Sequence, residues 1–172
     1  MTDTHGHDAR AIANFILAYS DNHARPVTHL WLQKAIFIAH GWTLVLLQKP
    51  LVRDPIEAWQ YGPVIRSVFR SFSELGERQI LGVRAQKLDL MSGGFETVNY
   101  DFDKQEQKLI KNVFDSHKNY TGIQLMHITH KEGAPWREIW DSAKNKSNPG
   151  MRIPNDLILK YYNNTVDVFS KI

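Results

Sequence analysis

Cysteine is absent from the 172 residues of this chain. Its absence excludes a disulfide framework, a thiol nucleophile and a cysteine-type zinc site. Long apolar runs are absent as well, because His40 interrupts the densest stretch, Ile36 to Leu47, far below membrane-spanning length. Residues 1–10 are polar and lack the apolar core of a signal peptide. We therefore expect a cytoplasmic protein that makes no contact with a membrane.

The sequence also lacks a strong excess of one charge. Lysine and arginine number 21 against 18 acidic residues, which gives a net charge of +3 spread over the chain. Because nucleic-acid binders concentrate positive charge to neutralise phosphates, this dispersion disfavours direct nucleic-acid binding. Apolar residues make up 42% and charged residues 23%, which excludes a disordered chain. We expect a single domain over residues 1–172, with residues 1–8 as a flexible N-terminal tail.

Apolar residues recur mainly at helical spacing. The segment from Thr28 to Leu47 is apolar almost all round, which predicts a central, buried helix. Extended structure is expected at Ile56 to Trp59 and in a hairpin around Gly93-Gly94, and a turn is expected at Asn148-Pro149-Gly150. Capping residues or prolines predict where the other helices start, namely at Asp8, Pro63, Asp103 with Glu106, Thr121 with Gln124, Pro135 and Pro154. The fold class predicted is mainly α, a single compact helical domain with a small β-hairpin or short β element.

The usual catalytic signatures are absent. There is no glycine-rich phosphate loop, no Gly-x-Ser-x-Gly turn and no His-Glu-x-x-His helix. His127 and His130 share a helix face and could bind one metal, with Glu132 close behind. We favour the simpler interpretation that one histidine packs near the helix end and the other faces water. We therefore expect no enzyme, no metal and no cofactor. The alternative is a hydrolase in which His130 pairs with Glu132 or Glu57.

The connector after the central helix has an unusual composition, since a carboxylate and two large aromatic residues precede a Gly-Pro pair. The Gly62-Pro63 pair restricts the backbone and fixes where Trp59 and Tyr61 point. One interpretation is a rigid surface that presents these aromatic side chains and Glu57 to a partner. The other, which we favour, places both aromatic side chains in the core. In that case Glu57 accepts amide hydrogen bonds at the start of the following helix.

Several short motifs resemble a known family, and together they span nearly the whole chain. Those expected to form its structural framework are Gln33-Lys34, Gly41-Trp42, Gly62-Pro63 and Pro135-Trp136. In order and spacing the motifs resemble the Panacea domain, a family also called SocA-like or phage-associated GepA-like. The resemblance implies an antitoxin, because members neutralise a toxic protein encoded beside them by binding it directly. It also implies a protein that has no enzymatic activity.

The chain departs from that family pattern at two places. It has Ala35-Ile36-Phe37 where the family often has Leu-Leu-Tyr, and Phe69 stands where a tyrosine is common. Any hydrogen bond that relatives make through those hydroxyl groups is therefore not expected here. Some relatives also carry a separate DNA-binding region in front of the domain. The stretch before the first helix is too short for one, so direct operator binding is not expected.

The partner implied by the resemblance is a cognate protein toxin, and the mechanism we favour is occlusion of its functional surface. The candidate contact residues are Glu57, Trp59, Gln60, Tyr61, Arg66 and Arg70. One branch of the family resembles an adaptor that delivers its toxin to the ClpXP protease. An adaptor needs a second binding surface, for which the chain end at residues 163–172 is a candidate. A homodimer is a third possibility, since exposed aromatic side chains also pair copies of one chain.

Overall fold

The computed structural model of this chain describes residues 5–143 and 151–169. The turn expected at Asn148-Pro149-Gly150 lies outside the described residues. Within those ranges the elements, in chain order, are α1 (Ala9–Asn22), α2 (His29–Leu46), β1 (Ile56–Trp59), β2 (Gly62–Ile65), α3 (Arg66–Phe72), a 3-10 turn (Ser73–Leu75), β3 (Gln86–Leu88), β4 (Phe95–Thr97), α4 (Lys104–His117), α5 (Gly122–Thr129), α6 (Pro135–Ser142), β5 (Met151–Arg152) and α7 (Asn155–Phe169). The mainly α prediction is confirmed. None of these helices is long and apolar enough to cross a bilayer.

Helix α2 forms the centre of the fold, as its apolar sequence predicts. Thr28 caps its start by accepting a hydrogen bond from the Trp31 amide at 3.3 Å. Nearly every residue from Trp31 to Leu44 is buried, because α4, α5, α7 and β2 all pack against this one helix. A helix surrounded in this way needs an apolar residue on each of its faces.

The prediction of a flexible tail over residues 1–8 is wrong at His7. The amide of His7 donates to the Leu51 carbonyl at 2.8 Å, and the His7 carbonyl accepts from the Arg53 amide at 2.9 Å. The His7 imidazole lies 2.9 Å from the nearly buried Glu106 carboxylate. The approach to α1 is therefore tied to α4 and to the loop before β1. The first four residues lie outside the described part of the chain.

Strands β2, β1 and β5 form a small antiparallel sheet in that order. Ile56 pairs with Ile65 and Trp59 with Gly62, so β1 and β2 form a hairpin. The predicted helix start after Pro63 is wrong, because Pro63 lies in β2 and α3 begins at Arg66. The fixed φ of proline suits an extended strand as well as a helical first turn. Strand β5 carries no sequence signal that we recognised.

The second hairpin, β3–β4, confirms the prediction around Gly93-Gly94. It is anchored by the buried Asn14 of α1, whose amide nitrogen donates to the carbonyls of Ala85 at 3.0 Å and Val98 at 2.8 Å. The Asn14 side-chain oxygen accepts from the Ala85 amide at 2.8 Å. One side chain thereby joins both strands to the helical core.

The packing of α7 on α2 depends on Gly41. A β-carbon added at Gly41 would lie only 2.5 Å from Cζ of Tyr162 on α7, closer than atoms can approach. The Tyr162 ring meets the Trp42 ring edge to face, with centroids 5.2 Å apart. The Gly41-Trp42 motif therefore makes room for the buried Tyr162 ring and packs against it, which is a structural role.

Candidate functional site

The β1–β2 hairpin ends in a two-residue turn, Gln60 and Tyr61, between paired residues Trp59 and Gly62. Gly62 has a φ of +98°, a conformation that a residue with a side chain rarely adopts. A β-carbon there would also lie 2.8 Å from Cε of Lys34. Both the backbone angle and the close approach of the lysine therefore require glycine at this point.

The Gln33-Lys34 pair of α2 holds the outer edge of β2. The Gln33 side-chain oxygen accepts from the Ile65 amide at 2.9 Å, and its nitrogen donates to the Ile65 carbonyl at 3.0 Å. Lys34 Nζ donates to the Pro63 carbonyl at 2.9 Å. The strand edge would otherwise present unpaired backbone groups in a buried place. Two adjacent helix side chains replace the missing neighbouring strand.

Lys34 is completely buried, and no carboxylate pairs with it among the described residues. Burial lowers the pKa of its amine to about 7, because a charge is poorly solvated in the protein interior. His29 and His130 lie close enough to Lys34 for its charge to act on their imidazole groups. Burial and the Lys34 charge both lower the pKa of each imidazole, to about 4 for His130. The support beneath the turn is therefore a cluster of basic groups that resist protonation.

Trp136 fixes the other side of the turn. Its indole Nε1 donates to the Trp59 carbonyl at 2.8 Å, and Pro135 places the tryptophan in the first turn of α6. The Trp136 ring also stacks on the His130 imidazole, with centroids 3.5 Å apart and an angle of 3° between the planes. The Pro135-Trp136 motif, like Gln33-Lys34, thus supports the backbone of the hairpin.

The acid–base pair of the hydrolase alternative is not assembled. His130 Nε2 is buried and has no hydrogen-bond partner among the described residues. His130 and Glu132 line one cavity, which is about 590 Å³ in volume. No hydrogen bond joins these two side chains among the described residues. A general base needs a partner that orients it within hydrogen-bond reach. No group of three or more metal-ligating side chains occurs in the described ranges either.

Glu57 binds side chains and not helix amides, which corrects the core interpretation. Its carboxylate accepts from Trp59 Nε1 at 2.8 Å and from Arg66 Nη2 at 2.9 Å. Burial raises the pKa of this carboxyl, but the hydrogen bonds from Arg66 and Trp59 outweigh that effect and leave the pKa below its ordinary value. Glu57 therefore stays ionised at neutral pH. The Arg66 guanidinium also lies over the Trp59 ring, 5.9 Å from its centroid.

The two aromatic residues of the connector have different environments. Tyr61 is 61% exposed, so its expected place in the core is wrong. Trp59 is half-buried and packs against Phe69, with ring centroids 4.9 Å apart. Gln60, Arg66 and Arg70 are exposed. A two-residue turn lifts Tyr61 off the sheet, whereas Trp59 lies over the first turns of α3. We name the surface formed by Glu57, Trp59, Gln60, Tyr61, Arg66 and Arg70 the turn surface.

Some residues around the turn surface were missed in the sequence. Arg152 of β5 lies opposite Glu57 in the strand register, and its charge acts on that carboxylate. Thr129 of α5 contacts the position where a Gly62 side chain would lie. Arg152 stands in no recognisable motif. Thr129, with His130, is part of the family resemblance, but nothing in the sequence indicates that it reaches Gly62. Both residues reach the site only through contacts with distant parts of the chain. A two-residue strand such as β5 leaves no periodic signal.

Gln33, Lys34, the β1–β2 hairpin and Trp136 all lie within residues 32–137. Residues 32–137 match the family described as "Antitoxin SocA-like, Panacea domain", and the chain belongs to that family. It is similar to the protein named Antitoxin SocA of Caulobacter vibrioides (strain NA1000 / CB15N), with 35% identity over 151 residues. That alignment covers 88% of this chain and 80% of the relative. No solved structure matches the chain. The resemblance noted in the sequence is confirmed.

Proposed function

We propose that this protein is a cytoplasmic antitoxin that neutralises a cognate toxin by binding it directly through the turn surface. Membership of the antitoxin family supports the general role. The observation that carries the site is Tyr61, an exposed aromatic side chain on a turn whose backbone is fixed from below. The backbone of a turn held in this way loses little conformational freedom on binding, so only the Tyr61 side chain has to be ordered.

The composition of the turn surface suits a binding hot spot. Tryptophan, tyrosine and arginine are enriched among the residues that carry most of the energy of protein interfaces. Trp59, Tyr61, Arg66 and Arg70 provide all three types within one hairpin and one helix. A stable inhibitor complex buries about 1,600 Å² in total, so the toxin would extend over neighbouring elements as well. Neutralisation by occlusion requires this covered area to overlap the functional surface of the toxin.

Co-expression with the protein encoded by the adjacent gene tests the general role. We expect the neighbour alone to arrest growth, this protein to restore growth, and the two to co-purify. A harmless neighbour would overturn the antitoxin assignment for that pair. Rescue without a complex, with a toxin that disappears, would replace occlusion by delivery to a protease such as ClpXP. Deleting that protease would then abolish rescue, whereas occlusion survives the deletion.

Tyr61→Ala tests the site. We expect it to weaken toxin binding by about thirtyfold, as the loss of a hot-spot tyrosine does, and to leave the unfolding midpoint unchanged. Tyr120→Ala is the matched control, because Tyr120 is also exposed (45%) but lies on the loop between α4 and α5. Isothermal titration calorimetry measures the affinity of both variants for the toxin, and a thermal melt gives their unfolding midpoints. Equal affinities for the two variants would show that the toxin binds at another surface. The exposed Leu90 and Met91 of the β3–β4 hairpin would then be the next candidates.

A further inference from the structure

Arg66 is held in place by one edge of its guanidinium group. Its Nε lies 3.3 Å and its Nη2 lies 3.1 Å from Glu57 Oε1, and Nη2 is 2.9 Å from Oε2. Nη1 has no hydrogen bond among the described residues, and the side chain is 48% exposed. A guanidinium carries five N–H donors, so the edge that Glu57 leaves free still offers donors to another group.

The charges around Arg66 are unbalanced. Arg70 follows one turn later on the same face of α3, is exposed, and has no ion pair among the described residues. Arg152 stands on the far side of Glu57. Arg66 and Arg152 thus share one carboxylate that is only 11% exposed and already bound, and Arg70 adds a third positive charge on α3. The surface they form is net positive.

The acidic groups near this surface do not neutralise it. Glu74 lies one turn beyond Arg70 but forms no ion pair with it within the described ranges. Asp54 contacts α3 directly, but its carboxylate accepts from Ser67 Oγ at 2.7 Å and from the Ala9 amide at 2.9 Å, and among the described residues it forms no ion pair with the α3 arginines. Three further acids, Glu132, Glu138 and Asp141, line the cavity beside His130, on the α6 side of the hairpin. The α3 side therefore keeps its positive charge.

We propose that the turn surface binds an acidic segment of the toxin, whose carboxylates engage Arg66 and Arg70. This inference rests on the antitoxin function proposed above. Glu57 is a positioning residue: it fixes Arg66 over Trp59, so the arginine is ordered before the partner arrives. Planar guanidinium groups bind carboxylates through paired hydrogen bonds, and this pairing sets orientation as well as strength. A phosphate backbone would need a longer positive stripe than three arginines, which favours a protein partner.

Charge reversal tests the acidic partner, with the growth-arresting neighbour protein as the probe. We expect Arg70→Glu to lower the association rate constant by about tenfold at about 50 mM salt and by much less at about 300 mM salt. Lys108→Glu is the matched control, because Lys108 is exposed on α4 and makes the same change in net charge away from the hairpin. Surface plasmon resonance measures the association and dissociation rate constants of each variant.

Glu57→Gln separates positioning from simple attraction. The substitution removes a negative charge, so attraction alone predicts tighter binding to an acidic partner. Loss of the fixed Arg66 instead predicts a dissociation rate constant that rises severalfold, about three to ten times, with the association rate constant unchanged or higher. A thermal melt of the free variant shows whether the fold is intact. A slower dissociation would overturn the positioning role.

The two proposals fail in different ways. If the wild-type protein rescues growth and binds the toxin, but Arg70→Glu behaves like Lys108→Glu at every salt concentration, the acidic partner is wrong and the antitoxin function stands. If the wild-type protein neither binds nor rescues, the antitoxin function fails and the inference fails with it. Tight binding of a DNA or RNA oligonucleotide that Arg70→Glu abolishes would also overturn it, in favour of a nucleic-acid partner.

Discussion

Replacing Lys34 by methionine tests whether the lysine beneath the hairpin is an uncharged amine above neutral pH. Methionine matches the apolar stem as far as Cε and removes only Nζ, the group that titrates. The Pro63 carbonyl, which accepts from Lys34 Nζ at 2.9 Å, is then left unpaired, at a cost of about 1–3 kcal/mol. That cost does not depend on pH. The stability contributed by the titrating Lys34 amine does depend on pH, and this is the quantity to measure.

Burial lowers the pKa of Lys34 from an ordinary value of 10.5 to about 7 in the folded protein. Between these two values the unfolded chain binds more protons than the folded chain, so the free energy of unfolding rises with pH. The full gap corresponds to about 5 kcal/mol at about 1.4 kcal/mol per pH unit. Between about pH 6.5 and pH 9.5 the wild-type protein should gain about 3 kcal/mol from this group, and Lys34→Met should gain none of it.

Urea unfolding at several pH values measures the difference between the two proteins. Groups that Lys34 does not affect cancel, and the window starts near pH 6.5 because burial and the Lys34 charge lower the pKa of His29 and His130 below that value. The window ends below pH 10 because the buried Tyr162, whose pKa is raised by burial, then begins to destabilise the fold of both proteins. Lys108→Met is the control for the loss of one lysine charge, because Lys108 is exposed on α4. A constant difference between wild type and Lys34→Met across the window would refute the reasoning, because it would mean that Lys34 stays protonated inside the protein.

Two further substitutions test the other supports of the turn. Gly62→Ala should lower the free energy of unfolding by about 1–3 kcal/mol more than Gly76→Ala, measured by urea unfolding. Both glycines have positive φ, but the added β-carbon meets Lys34 only at position 62, and equal losses would contradict the role of that contact. Gln33→Leu leaves the buried amide and carbonyl of Ile65 unpaired, at about 1–3 kcal/mol each. Hydrogen exchange at the Ile65 amide should accelerate sharply, and unchanged protection there would show that the strand edge has another partner.

The helix starts were predictable from the sequence because capping is local chemistry. Asp103 and Glu106 form the expected capping box within four residues, and Thr121 with Gln124 forms the next. Pro63 was misplaced for the opposite reason. Its strand is determined by pairing with β1 and by Gln33, which is 32 residues away from the Ile65 it bonds. Nothing near Pro63 distinguishes a strand from the first turn of a helix.

The turn surface was predictable only in part. The residues that form it could be proposed from composition, because Gly62 implies a fixed turn and aromatic residues flank it. Whether Tyr61 points into the core or into solvent depends on the length of the turn, which follows from the β1–β2 register. The role of Lys34 was hidden entirely, since a lysine on an apolar helix gives no sign of which backbone group it meets.

The supports of the hairpin all act on its backbone. Gln33, Lys34 and Trp136 each donate a hydrogen bond to a main-chain carbonyl. Within the described part of the chain no hydrogen bond joins any of them to the side chains of Gln60 or Tyr61. These three hydrogen bonds can therefore form whichever side chains those two positions carry. Stability and binding are separable here, so a substitution at Tyr61 that abolishes toxin binding in a folded protein removes a contact and not the fold.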